Sequence, residues 1–436
     1  MVLGPGAPGY PMSDRSIQAP RGFKDLLPDD LPRFKRLEGL AHDLAARFGY
    51  REIRPPLLEE TQLFRRSVGE VTDIVEKEMF TFEREEHSLT LRPEGTAGVV
   101  RAYLQAGWPM NQPFQKLYYV GPMFRYERPQ KGRERQFTQF GVECLGSLDP
   151  RLDVEAVALA ALFFEELGIR GVEVRLNSMG DGEDRDRYRE AVRAHVAARL
   201  SKYSEDSQAR FQRNVLRILD SKDPRDVEQN QDAPVLLDFL SAENRAHFES
   251  VERGLQRIGL KVQVDPRIVR GLDYYTRTVF ELHFPALGAR SALCGGGRYD
   301  HLVEELGGPP TGAVGFAVGF TGTLLTLEQL GLLADQRPSP ALVYVATTEE
   351  SLEGEALAIA HELRRGGISA VFDAQKRKFK KQLEQASKGG HRALLILGSA
   401  ELERGVVALK DLTTAEQREL PRSALLAELG RLAGRA

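Results

Sequence analysis

Cysteine is nearly missing: Cys144 and Cys294 are the only two in 436 residues. Two cysteines cannot build a disulfide framework, and neither sits in a C-x-x-C pair, so the sequence carries no structural zinc signature. A reducing, cytoplasmic compartment is expected. An excess of one charge is missing too. Sixty Lys and Arg stand against sixty-three Asp and Glu, a formal charge of −3. That balance argues against a uniformly basic nucleic-acid coat, though not against a local basic patch. No Gly-Lys pair occurs, which removes the P-loop. No charged leader followed by an apolar run opens the chain, so no signal peptide is expected. Gly307 to Leu327 runs without a charge, but Gly-Gly-Pro-Pro opens it and Gly312, Gly315, Gly319 and Gly322 interrupt it. A buried strand and turn of a soluble core is expected there, not a membrane span.

What is present reads as a folded, multidomain chain. A 42% hydrophobic fraction with 28% charged residues is ordinary globular composition, and the length suits two or three domains. Residues 1–20 hold Gly4, Gly6 and Gly9 among Pro5, Pro8, Pro11 and Pro20. The spacing matches G-x-G-x-x-G, but no strand precedes it and prolines fill the loop, so a flexible arm is expected. Apolar positions Phe34, Leu37, Leu40, Leu44 and Phe48 predict a helix over 31–48, and 151–168 reads as another. Leu117–Phe124 and Gln136–Leu145 read as two strands joined by a long polar connection. From about 180 to 261 the chain is charged and helical, an insertion into a domain spanning 21–336. Strand character returns in Val262–Leu282. After Arg337-Pro338-Ser339-Pro340, strands at 341–346, 369–372, 393–397 and 406–411 alternate with helices at 350–365 and 375–388. This predicts a small α/β domain over 337–436 with a mostly parallel sheet.

Four segments carry candidate chemistry. Between Arg125 and Arg135 lie five basic residues and two acidic ones. Such a run is ordinarily a solvated loop, but the flanking apolar strands anchor these arginines over a sheet. Planar guanidinium groups there could wrap a polyphosphate. In Leu91-Arg92-Pro93-Glu94-Gly95-Thr96, the Glu94 carboxylate either holds a ligand's ammonium group or caps the helix that follows. In Arg270-Gly271-Leu272-Asp273-Tyr274-Tyr275, a strand would send Tyr275 and Arg277 to one face and Tyr274 and Thr276 to the other. There Arg270 either faces an anionic ligand or pairs with Asp273. Cys294-Gly295-Gly296-Gly297-Arg298-Tyr299-Asp300 either lets backbone approach a ligand or makes a plain turn.

Together these segments resemble the histidyl-tRNA synthetase family of class II aminoacyl-tRNA synthetases, from about residue 20 to the end. Glu52-Ile53-Arg54-Pro55-Pro56 looks like motif 1, with Pro56 at a homodimer interface. The arginine-rich hairpin resembles motif 2, and Leu91–Thr96 and Arg270–Tyr275 resemble the two histidine-specific stretches. The resemblance implies an α+β chain: an antiparallel-sheet catalytic domain with a helical insertion, plus a small C-terminal α/β domain that reads the anticodon. It implies that histidine and ATP, with Mg2+, give histidyl-adenylate, and that the histidyl group then passes to the 3′ end of tRNA(His). By matched position, Glu94 and Thr96 would bind the amino group of L-histidine. Gln139, Glu143, Tyr274 and Tyr275 would hold the rest of it. Arg125 would contact its carboxylate and the α-phosphate. Arg270 would stabilise charge on that phosphate, a role other class II enzymes give to a metal. Glu127 would face the adenine amino group, Phe137 would stack on the ring, and Arg133 would reach the γ-phosphate. Arg128 and Gln130 would approach the acceptor end of tRNA.

Two positions depart from the family pattern. Thr138 stands where histidine is usual. In motif 3, Gly315–Phe320 fits, but Thr321-Gly322 replaces Glu-Arg. Losing one charge-assisted contact costs about 1.5–3 kcal/mol, roughly 10- to 150-fold in binding or rate. That loss raises an alternative, a silent paralog acting as regulatory subunit of ATP phosphoribosyltransferase. The complete C-terminal domain and Arg125, Arg133 and Arg270 favour the ligase. In that domain, Lys376, Arg377, Lys378, Lys380, Lys381 and Lys388 are expected on one helix as a basic face for the anticodon.

Overall fold

The computed structural model describes residues 17–69, 72, 74–128, 132–212, 214–219, 221–268, 272–286, 292–333 and 340–434. The chain divides into two compact units, 1–336 and 337–436. Most of the flexible-arm expectation, along with Gln130 and Arg270, falls outside the described residues.

An eight-stranded sheet organises the first unit. Its six central strands run antiparallel: Gln115–Phe124, Gln136–Leu145, Ala313–Gly319, Ala292–Arg298, Thr276–His283 and Glu173–Ser178. Each edge carries a parallel strand, Arg51–Glu52 on one side and Val262–Val264 on the other. A parallel pair cannot be closed by a tight hairpin and needs a long crossover. Between Glu173–Ser178 and Val262–Val264 that crossover is the helical insertion, which includes Gly182–Ala197 and Ala242–Arg257.

Alternation along the strands separates two faces. Phe140, Val142 and Cys144 join a core with Leu37, Leu44, Phe163 and Phe164 from the helices Leu31–Arg47 and Arg151–Glu166. Fully burying each aromatic or leucine there stabilises the fold by about 1.5–3 kcal/mol. On the other face, Leu117 and Tyr119 pack with Tyr274, Tyr275, Tyr299 and Val99. Gln139, Gly141 and Glu143 share the parity of Leu145, which also packs there.

Several expectations are corrected. The glycine run Cys294–Gly297 is not a turn but lies within the strand Ala292–Arg298. A Cβ on Gly296 would overlap the Gly315 carbonyl, and one on Gly297 the Thr278 carbonyl. Tyr274 and Tyr275 precede the strand that begins at Thr276, and their rings sit 4.8 Å apart rather than on opposite faces. The 307–327 stretch gives a strand and then a helix, Phe320–Gln329, instead of a turn. A three-stranded sheet of Leu58–Glu60, His87–Leu91 and Phe80–Arg84 was not expected.

The second unit holds a five-stranded sheet. Ala370–Phe372, Val343–Thr347 and Ala393–Leu397 run parallel, whereas Val406–Asp411 and Gln417–Pro421 are antiparallel. The sheet is therefore mixed, its pairing turning antiparallel where Val406–Asp411 joins Ala393–Leu397. The helix expected from 375 starts at Phe379. Lys376 adopts φ 52° and Lys378 extended backbone, so Lys376, Arg377 and Lys378 belong to a turn before the helix. Buried Gln382 fixes that turn, accepting from Thr347 N–H at 3.0 Å and donating to the Arg377 carbonyl at 2.8 Å.

Candidate active site

The site face centres on a buried carboxylate. Glu143 is 1% exposed, on a strand paired on both sides, so it meets no water to support a charge. Three hydroxyls surround it instead. Thr96 Oγ1 donates at 2.7 Å, Tyr119 at 3.3 Å, and Tyr299 to the other oxygen. Burial nonetheless dominates and pushes the Glu143 carboxyl up to about 8. Glycines make this packing possible. A Cβ on Gly95 or Gly141 would overlap the Tyr119 ring, and one on Gly315 would overlap Glu143 itself.

Glu94 does what the capping reading expects. Its carboxylate accepts from the backbone N–H of Thr96 at 2.6 Å and of Ala97 at 2.9 Å, at the start of the helix Thr96–Gln105. Burial raises its pKa, opposed by those two bonds. The preceding loop is held by Arg92, whose guanidinium donates to the carbonyls of Pro122 and Pro55, both at 2.9 Å.

The hairpin brings Arg125 and Phe137 together. The Arg125 guanidinium lies 5.4 Å from the Phe137 ring centroid and donates through Nε to the Pro93 carbonyl at 2.9 Å. Glu127 and Arg133 form an ion pair at 3.1 Å, with the Arg133 side chain largely exposed. Arg128 is exposed. The Oε1 of Gln139 is buried with no hydrogen-bond partner among the described residues. Arg135, which received no role from sequence, stacks 3.6 Å from the Tyr126 ring centroid, and its Nε donates to the Glu127 carbonyl at 3.3 Å. At the motif 3 departure, Thr321 donates to Glu134 at 3.2 Å, and the space where a Gly322 Cβ would lie is open to 4 Å.

Thr96, Gln139, Glu143, Tyr274 and Tyr275 thus belong to one sheet face, with Arg125 and Phe137 at the hairpin end of the same strand pair. Tyr274 stacks between Tyr275 and Tyr299, whose ring lies 5.6 Å away. Sequence reasoning missed Tyr119 and gave Tyr299 no role. The signal for Tyr119 was available, because it faces Gly141 across the ladder and alternates with Leu117 and Gly121. Among the described residues no cluster of three or more His, Cys, Asp or Glu could hold a metal ion.

The model of the histidyl-tRNA synthetase family matches residues 22–322, and that of the anticodon binding domain matches 341–432. The histidine–tRNA ligase of Thermosynechococcus vestitus is 48% identical over 417 residues, covering 94% of this chain and 96% of that protein. The solved apo histidyl-tRNA synthetase of S. aureus superposes with a TM-score of 0.79 at 35% identity, over 95% of this chain and all of that one. A structure from Bacillus halodurans, described as an ATP phosphoribosyltransferase regulatory subunit/histidyl-tRNA synthetase, shares the fold at 22% identity and TM-score 0.60, over 88% of this chain and 99% of its own. With both units matched and a relative 48% identical over nearly its whole length, this chain belongs to the histidyl-tRNA synthetase family.

Proposed function

We propose that this protein is a histidine–tRNA ligase that activates L-histidine with ATP and passes the histidyl group to the 3′ end of tRNA(His). The observation that carries the reading is one sheet face that presents both the Gln139 oxygen, buried and without a partner among the described residues, and the hydroxyl-ringed Glu143, with Arg125 at the hairpin end of the same strand pair. Polar side chains there suit an imidazole and an ammonium group together. Displacement at the α-phosphorus spreads negative charge over non-bridging oxygens, so preplaced guanidinium groups lower its barrier electrostatically. Arg125 and Arg270 take that role. The nucleophile is already a carboxylate, so the first step needs no strong base. In the second, an adenylate phosphate oxygen takes the ribose proton.

Glu127, Phe137 and Arg133 bind ATP in this reading. The Glu127–Arg133 pair opens when adenine and the γ-phosphate arrive. Arg128 and Gln130 approach the acceptor end. Mg2+ comes with ATP, bound through its phosphates. Residues 21–336 form the catalytic domain with its insertion at about 180–261, 337–436 read the anticodon, and 1–20 form an arm. Exposed Leu57 and Leu58 next to Pro56 support a homodimer, and the paucity of cysteine supports a cytoplasmic setting.

Histidine-dependent ATP–pyrophosphate exchange by the purified protein tests the reading. Exchange that requires histidine is expected. No exchange at saturating ATP sinks the ligase and leaves the regulatory paralog.

A further inference from the structure

We propose that Arg185, on the first long helix of the insertion, is a positioning residue for histidine binding, an inference that rests on the ligase reading. Its Nε donates to the Met179 carbonyl at 3.0 Å, and a terminal nitrogen donates to the carbonyl of Tyr275. Both bonds end on main chain rather than on a carboxylate. A rigid five-donor fork used this way fixes the path of backbone.

The two carbonyls lie where a ladder breaks. Met179 follows the strand Glu173–Ser178, and Tyr275 precedes its antiparallel neighbour Thr276–His283. Beyond the pair Ser178 and Thr278 the pairing becomes irregular. Met179 N–H donates to the Arg277 carbonyl at 2.6 Å, and Arg277 N–H donates to the Gly180 carbonyl at 2.8 Å. Arg277 there adopts φ 39°, a left-handed backbone that a residue with a Cβ holds only when its surroundings impose it. Arg185 supplies its bond at this irregular point, one residue ahead of the regular strand. The side chain hung on that peptide is Tyr275, whose ring packs against Tyr274 and lies in the same cluster as Tyr119 and Tyr299.

A second tie runs from the other long helix of the insertion. Arg277 donates to Glu243, in the first turn of Ala242–Arg257, at 2.6 Å. Both helices therefore grip the residues flanking Thr276. The insertion is a brace for the tyrosine pair as well as a crossover, and its position is read out in histidine affinity. Among the described residues, Arg185 has no hydrogen bond to Arg125, Glu127, Arg133 or Phe137, so its effect separates by substrate.

The test is ATP–pyrophosphate exchange by the full-length protein, with histidine and ATP varied in turn. Wild-type exchange is measured first, because its absence overturns the ligase reading and not the brace. In Arg185→Ala, the histidine KM rises about tenfold while the ATP KM and kcat stay within about twofold. Arg185→Lys, which keeps one cationic donor in reach of the carbonyls, recovers part of that loss. An unchanged histidine KM in a folded Arg185→Ala protein overturns the proposal. Equal rises in both KM values accompanied by a fallen thermal midpoint also overturn it, since they mark general loosening. Should the alanine variant not fold, Arg185→Lys alone decides: a histidine-only KM increase supports the brace, and wild-type values overturn it.

Discussion

The hydroxyl of Thr96 donates to the carboxylate of Glu143 at 2.7 Å, tying the first turn of a helix to the catalytic sheet. Because burial lifts the Glu143 carboxyl from its ordinary 4.5 to about 8, this contact belongs to a group that is protonated in neutral solution. The unfolded chain releases the Glu143 proton near 4.5, while the folded chain keeps it until about 8. Between those values the folded state binds the extra proton, so this group's stabilisation is complete below 4.5 and is lost as pH rises toward 8. Glu143→Gln should remove that part of the slope. Thermal midpoints of both proteins across the window measure it, and parallel curves would refute a protonated Glu143.

Arg298 is fully buried, with Asp153 on one side and Asp300 on the other, and donates further to the carbonyls of Ser147 and Asp149. Arg298→Met removes the guanidinium that pairs with both carboxylates, leaving Asp153 the His247 ring at 3.4 Å and Asp300 the Ala313 N–H at 3.0 Å. A loss of about 3–5 kcal/mol is expected, read as a lower urea midpoint for the first unit. A midpoint matching the wild type contradicts it.

Gly322 sits in the first turn of the helix Phe320–Gln329 with open space around its missing side chain. Gly322→Ala should stabilise the protein by about 0.5–1 kcal/mol through helix propensity alone. Gly322→Arg should lower the ATP KM about tenfold if the absent charge is the only deficit. An ATP KM unmoved by the arginine means another residue already serves.

Lys378, Lys380 and Lys388 are exposed, whereas Lys376 and Lys381 pair with Glu350 and Glu384. Replacing the three exposed lysines with Gln should weaken tRNA binding and reduce the slope of log affinity against log salt by about 2. A slope unchanged in filter binding assigns the anticodon surface elsewhere.

How much of this was legible follows from what each element depends on. The strands Gln136–Leu145 and Ala393–Leu397 carry their own apolar pattern, and their sequence-based limits coincide with the folded ones. Leu58–Glu60 and Gln417–Pro421 are short, largely exposed and polar, so no local period marks them, and Phe80–Arg84 offers only the brief alternation of Phe80 and Phe82. The candidate residues on the site face were found by family resemblance. The reason they converge, tyrosines filling room left by Gly95, Gly141 and Gly297, exists only across the sheet. Arg185 was invisible because one arginine in a charged helix looks like every other.

Gln382 ties the lysine-bearing turn of the second unit to the end of the Val343–Thr347 strand. The turn is therefore set during folding, before any polyanion arrives. RNA meeting it encounters a template, with little loop ordering left to oppose association. Salt should accordingly act on how fast such a complex forms more than on how long it lasts.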